Sequence, residues 1–284
     1  MLLLVPQVMD VFMTDIGREV KRQGREKVWS RMMAISGKLP FWARRVLFRQ
    51  VHQRLGGRLR FIISGGAALD PALGEKWERL GIRIVQGYGA TEASPVISSH
   101  STAKPRFDSA GLPIRDLDVR IASDGEIQVR GPNVTQGYWE DPTQTEAAFE
   151  DGWYKTGDQG FFDRDGCLHI KGRTRDMICM SNGFNVYPDD VETVVKRHPD
   201  VEDVAIVALQ KGSQIEVHAV YLGIDEGVAA RVTKWANAQL ADHQRIRGSS
   251  IWSGEDFPRT HTLKVKKALV IEALTEKTKA VGVA

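Results

Sequence analysis

The chain has 284 residues, 42% apolar and 26% charged, with a formal net charge of +3. That is a globular composition, which excludes a disordered chain, a collagen-like repeat and a disulfide scaffold. At roughly 100–200 residues per domain it is enough for one large or two ordinary cores, and no run of about 18 apolar residues offers a membrane-spanning helix.

The opening Met1–Val5 is apolar but stops at Pro6, shorter than a signal-peptide core and without a basic leader. Residues 1–60 carry 13 Lys/Arg against Asp10, Asp15, Glu19 and Glu26. This skew is compatible with a solvated helix face, or with contact to nucleic acid, an anionic membrane surface or an acidic neighbouring domain. Met9, Phe12, Ile16 and Val20, then Trp29, Met32 and Met33, recur at helical steps over 8–55, and Gly37 and Pro40 split the segment into at least two helices. The segment resembles a domain that starts in its middle.

Phe61–Ile63 is a short strand closed by Ser64-Gly65-Gly66. Asp70-Pro71 then provides an N-cap with proline at the first helical position. A helix to Leu80 ends at Gly81, and a strand over Ile82–Val85 runs into Gly87. This βαβ unit implies a parallel sheet, whose ligands sit at the carboxyl ends of the strands, where both glycine turns fall. Past residue 110 the pattern is antiparallel. Val119–Ala122 and Glu126–Arg130 flank Asp124-Gly125, and Phe161-Phe162 and Cys167–Ile170 flank Asp165-Gly166. A small α+β module follows from residue 174: Met177–Met180, an Asn182-Gly183 turn, a helix from Pro188, strands over Val204–Ala208 and Val217–Tyr221, and helices near 228–241 and 267–277. Cys167 and Cys179, with no second cysteine pair, exclude a four-cysteine zinc site and read as reduced thiols of a cytosolic protein.

Four segments could carry chemistry. In Gln86-Gly87-Tyr88-Gly89-Ala90-Thr91-Glu92 the glycines let a backbone approach a ligand and Tyr88 offers a flat face to a base. Thr91 can bond a phosphate oxygen and Glu92 can hold Mg²⁺; a tight turn after a strand accounts for the glycines equally well. Asp158, in Trp153–Asp158, can accept two hydrogen bonds from a sugar diol or close an Asx-turn. Arg173, in Gly172–Asp176, suits phosphate or ribose oxygens or an interdomain ion pair. Lys264, in Pro258–Lys264, is either a mobile cation or a solvated side chain.

In this order the four segments resemble the adenylate-forming superfamily: acyl-CoA synthetases, luciferases and nonribosomal peptide adenylation domains. The tyrosine-glycine-x-threonine-glutamate pattern is Tyr88–Glu92, and tyrosine-x-threonine-glycine-aspartate is Tyr154–Asp158. The glycine-arginine-x-x-aspartate hinge segment is Gly172–Asp176, followed by the Gly183–Pro188 run. Val5–Met9 and Ser64–Leu69 are similar to segments of long-chain fatty-acid CoA ligases within that family.

The resemblance implies an α/β fold: the carboxyl-terminal part of a large sheet-and-helix adenylation domain over 1–173, then a small mobile lid over 174–284. It implies activation of a fatty acid by ATP to acyl-AMP and pyrophosphate, then displacement of AMP by coenzyme A. Lys264 is expected to bridge carboxylate and α-phosphate, Thr91 to bind phosphate and Glu92 to hold Mg²⁺. Gly65, Gly66 and Tyr88 are expected at the adenine, Ala67, Gly87 and Gly89 among the cofactor-binding residues, Asp158 and Arg173 at the ribose, Gly183 at the pantetheine path and Arg175 at the hinge. Three departures stand out. The family's phosphate loop has no counterpart here, so the chain is expected to be one part of a longer ligase. Leu263 stands where glycine usually precedes the lysine, which keeps Lys266 and Lys267 as alternatives, and the hinge is arginine where aspartate or lysine is commoner. A carrier-protein-loading ligase and an inactive AMP-binding fragment are the rival readings. The expected partners are fatty acid and coenzyme A, with no nucleic acid, in a cytoplasmic protein whose residues 1–60 could rest on a membrane.

Overall fold

The computed structural model describes the chain apart from residues 102–105, 181–182, 212–213, 261–262 and 282–284, and apart from the side chains of 277–281. The chain divides into two compact units: Met1–Thr156 with Gly160–Ile170, and Gly157–Gln159 with Lys171–Ala284.

The first unit opens with β1 (Leu2–Leu4), then four helices: α1 (Pro6–Arg22), α2 (Glu26–Ser36), α3 (Phe41–Leu47) and α4 (Arg49–Arg54). Pro6 sits in the first turn of α1, where its missing N–H costs nothing. β2 (Phe61–Ser64), α5 (Pro71–Arg79) and β3 (Arg83–Gly89) form the expected βαβ unit. The Asp70 side chain accepts from the Ala72 N–H at the start of α5. β1, β2 and β3 are parallel neighbours, with Leu4 opposite Ser64 and Ser64 opposite Gln86. The apolar opening of the chain is therefore a strand, which its length alone did not reveal. β4 (Val96–Ser99) and β5 (Leu112–Pro113) extend the sheet antiparallel. Helices and sheet bury Met9, Phe48, Ile62, Trp77, Leu80 and Ile84 in one core.

A second sheet begins with β6 (Asp118–Ile121) and β7 (Glu126–Arg130), which pair antiparallel across the Asp124-Gly125 turn. After α6 (Pro142–Ala148) and β8 (Phe149–Glu150) come β9 (Trp153–Phe162) and β10 (Leu168–Arg173), in the order β10-β9-β7-β6, with β8 on β9. Ala93, Ile97, Leu117, Ile127, Val129, Tyr154 and Leu168 form the core of this part.

The second unit holds β11 (Ile178–Cys179), β12 (Asn185–Val186), α7 (Pro188–Val195), β13 (Asp203–Lys211), β14 (Gln214–Leu222), α8 (Glu226–Asn237), β15 (Gly248–Ile251) and α9 (Lys267–Val281). β13 and β14 are antiparallel and β15 joins β14 in parallel. Alternation sorts the strand side chains between two cores. Val204, Ile206, Val217, Ala219 and Tyr221 meet α7 and α8, while Ala205, Val207, Val220 and Leu222 meet Phe257 and α9. Both faces of the sheet are covered by helices.

Candidate active site

In the first unit the two glycine segments lie side by side at the carboxyl ends of neighbouring parallel strands. β2 runs into Gly65-Gly66, and a Cβ placed on Gly65 would lie 3.7 Å from the Gly87 carbonyl; Gly87-Tyr88-Gly89, expected as a turn after a strand ending at Val85, is instead the end of β3, where pairing with β4 keeps it extended. This is the position in an open α/β sheet where ligands bind. Ala67 is half-buried just beyond the first turn. The register of β3 on β4 shifts between Tyr88 and Gly89. A Cβ on Gly89 would overlap the Pro95 carbonyl, so packing against the next strand already demands glycine there. The sequence alone had offered ligand approach or a tight turn.

Thr91 and Glu92 follow on a short 3-10 turn, Thr91–Ala93. Three contacts from distant parts of the chain fix this turn. The Thr135 N–H donates to the Glu92 carbonyl at 2.7 Å, Asn133 Nδ2 to the Ala93 carbonyl at 2.6 Å, and the Tyr138 hydroxyl to Glu92 Oε1 at 2.9 Å. Tyr154 is buried beside them; burial first, then Tyr138 and the Glu92 charge, push its phenol far above the ordinary range. The Tyr138 phenol is raised too, by burial and then by Glu92. Both tyrosines therefore stay protonated at neutral pH, the form that donates to a carboxylate. Asn133 and Tyr138 had no signal in the sequence, because they reach Ala93 and Glu92 across 40 and 46 residues.

Glu92 fits a hard divalent cation by donor type. Among the described residues no group of three or more His, Cys, Asp or Glu could hold a metal unaided. Mg²⁺ is commonly held by one or two carboxylates that share it with substrate phosphates.

In the second unit Asp158 and Arg173 come together. Arg173 Nε donates to Asp158 Oδ1 at 2.8 Å, and the Asp158 side chain is 6% exposed. Gln159 Nε2 donates to Thr174 Oγ1 at 3.1 Å and ties this strand to the turn that contains Arg175. Arg175 itself points outward, 82% exposed, 3.8 Å from Asp176. Gly183 has φ +83° and its N–H donates to the Met180 carbonyl, a turn position; Asn182 lies outside the described residues.

Lys264 is exposed on the loop before α9. The loop is closed by the Thr260 N–H donating to the Lys264 carbonyl at 2.8 Å and the Leu263 N–H to the Thr260 carbonyl at 2.9 Å. Leu263 has φ +65°, the left-handed conformation that glycine adopts without strain. Arg259 clamps the loop: Nη1 donates to the Leu263 carbonyl at 3.2 Å, Nη2 to Asp203 at 2.6 Å, and Nε to Asp256 at 2.9 Å. The Arg259 guanidinium was legible in the sequence as part of a motif, but its distant partner Asp203 was not. Of the alternative lysines, Lys267 is committed to Asp189 and Glu192, both at 3.0 Å, and these partners hold its ammonium charged against burial. Lys266 is exposed.

The family model described as AMP-binding enzyme matches residues 1–139. A long-chain-fatty-acid–CoA ligase of Mycobacterium bovis is 36% identical over 201 residues, which is 70% of this chain and 33% of that protein. Another, of Yersinia pestis, is 39% identical over 177 residues, covering 57% and 31%. The chain thus spans about a third of the length of these curated relatives. Among solved structures, the o-succinylbenzoate CoA synthetase of Bacillus subtilis with its acyl-adenylate intermediate aligns at TM-score 0.69 and 27% identity, over 80% of this chain and 49% of that one. The same synthetase with ATP and a magnesium ion aligns at TM-score 0.66 and 27% identity, over 78% and 49%.

Proposed function

We propose that this chain, whose residues 1–139 match the AMP-binding enzyme family model, forms part of an ATP-dependent acid–thiol ligase for long-chain fatty acids. The observation that carries this reading is the pair of glycine segments, the Gly65-Gly66 turn and the Gly87–Gly89 end of β3, adjacent at the ends of parallel strands and continuing into the braced Thr91-Glu92 turn.

The reaction has two steps. A carboxylate oxygen attacks the α-phosphorus of ATP and the bond to pyrophosphate breaks. The sulfur of coenzyme A then attacks the acyl carbon and AMP leaves. Two anions must meet in the first step, so positive charge fixed near the α-phosphoryl group lowers the barrier. We assign the Lys264 ammonium to that role, with its loop held by Arg259. Thr91 donates its hydroxyl to phosphate, and the Gly65–Ala67 and Gly87–Gly89 segments bound the adenine against the Tyr88 ring. Asp158 and Arg173 face the ribose as a pair, and Glu92 would hold Mg²⁺, which when bound offsets phosphate charge. The second step needs other groups at the same acyl-adenylate. A rotation at Arg175 that brings Gly183 toward the pantetheine arm supplies them, with the dihedral change taken up in one short turn.

The test separates the two half-reactions in the enzyme that carries this chain. Lys264→Ala is expected to abolish acyl-AMP formation from ATP and a long-chain fatty acid, while acyl-CoA formation from supplied acyl-AMP persists. Loss of both halves, or of neither, refutes the assignment. Supplying a carrier-protein thiol beside coenzyme A identifies the acceptor.

A further inference from the structure

Between Glu26 and Asp70 the chain carries nine Lys/Arg and no Asp or Glu. Arg54 pairs with Glu19 at 3.0 Å, and two more of the nine are turned to backbone carbonyls. Arg44 donates to the carbonyls of Leu39 and Glu78 at 2.9 and 3.1 Å, and Arg45 to that of Leu59 at 2.9 Å. Lys27, Arg31, Lys38 and Arg49 are exposed, and among the described residues no carboxylate pairs with them.

The same helices leave apolar side chains in water. On α2 the inward stripe is Trp29, Met32, Met33 and Ser36, and the outward one is Val28, Arg31 and Ile35. On α3 and α4 the outward stripe is Trp42, Val46 and Arg49, at steps of four and three. Val28 and Ile35 are 55% and 56% exposed, Trp42 and Val46 71% and 68%. α2 packs on α3, so the two stripes lie on neighbouring helices.

We propose that the outward stripes of α2 and α3–α4 dock on an anionic lipid surface. Unpaired cations alone would suit any polyanion. Cations interleaved with valine, isoleucine and tryptophan suit the boundary between headgroups and acyl chains, where apolar side chains sink in and ammonium or guanidinium groups stay at the phosphates. Valine and isoleucine neither stack on a base nor bond a phosphate, so they would add nothing to a nucleic-acid surface. No helix among the described residues is long and apolar enough to cross a membrane, so the contact is peripheral.

The experiment is sedimentation of the full chain with phosphatidylcholine vesicles, and with the same vesicles carrying one-third phosphatidylglycerol. Binding is expected to the anionic vesicles only and to weaken with salt. Each of Lys27→Gln, Arg31→Gln, Lys38→Gln and Arg49→Gln should lower partition about fivefold. Trp42→Ala/Val46→Ser should lower it at least tenfold at unchanged circular dichroism, since both side chains are exposed. Equal binding to neutral vesicles, variants that partition like the parent, or tighter binding to a duplex oligonucleotide each overturn the proposal. The assay involves no nucleotide, so its failure leaves the ligase reading untouched, and the converse holds.

Discussion

At the scale of single residues, Leu263 shows how one side chain can sit against the grain of its backbone. Its φ of +65° costs a non-glycine residue about 1–2 kcal/mol, and the loop keeps it because Arg259 and Thr260 bind on both sides. Glycine removes that strain but loosens the unfolded chain by about 0.5–1 kcal/mol. Leu263→Gly should therefore stabilise the chain by about 0.5–1 kcal/mol. Leu263→Val, branched at Cβ where φ is positive, should destabilise it by about 1 kcal/mol. Urea denaturation of the pair is the check: if both variants lose stability, the strain is not there. The sequence showed that the residue before Lys264 is unusual. It could not show that the backbone still takes the conformation glycine would take.

Among the elements, α5 carries the cleanest local code. The Asp70 cap and the Pro71 first turn were both readable, and the Asp70 carboxylate accepts from Ala72 at 3.0 Å. That cap ends the glycine loop at a fixed place and starts the helix that covers β2 and β3. Asp70→Ala should cost about 1 kcal/mol, measured as a shift of the denaturation midpoint without a change of slope. An unshifted midpoint would mean that packing of Trp77 alone holds the helix. The hairpins at Asp124-Gly125 and Asp165-Gly166 were equally local in origin. β1 was not: three leucines become a strand only because β2 offers them a parallel partner. The split of the first 55 residues into four helices, where two or more were legible, likewise follows from which turns pack, with a break at Gly24 (φ +65°) that periodicity did not announce.

For the molecule as a whole, the division into two units with separate cores sets how damage spreads. Ile206 is fully buried between β13 and the α7–α8 layer of the second unit. Ile206→Ala should cost about 2–5 kcal/mol there. In calorimetry it is expected to lower one transition and leave that of the first unit, built on Trp77, Ile62 and Ile84, in place. A single transition that falls as a whole would show that the units unfold together.

The sequence by itself determined what depends on near neighbours: the βαβ unit, the hairpin turns, the helix cap, and the four ordered motifs that carry the family resemblance, because caps, turns and periodicity act within a few residues. The tertiary structure alone decided what depends on distant ones. It brought Tyr138 and Asn133 to the Glu92 turn, Arg259 to Asp203, and Lys267 to Asp189, 78 residues away. It also decided which cations of the basic stretch turn inward to carbonyls and which stay in water. Such pairings are set by how sheets and helices close on a core, and composition says only that the charges exist, never which atoms they meet.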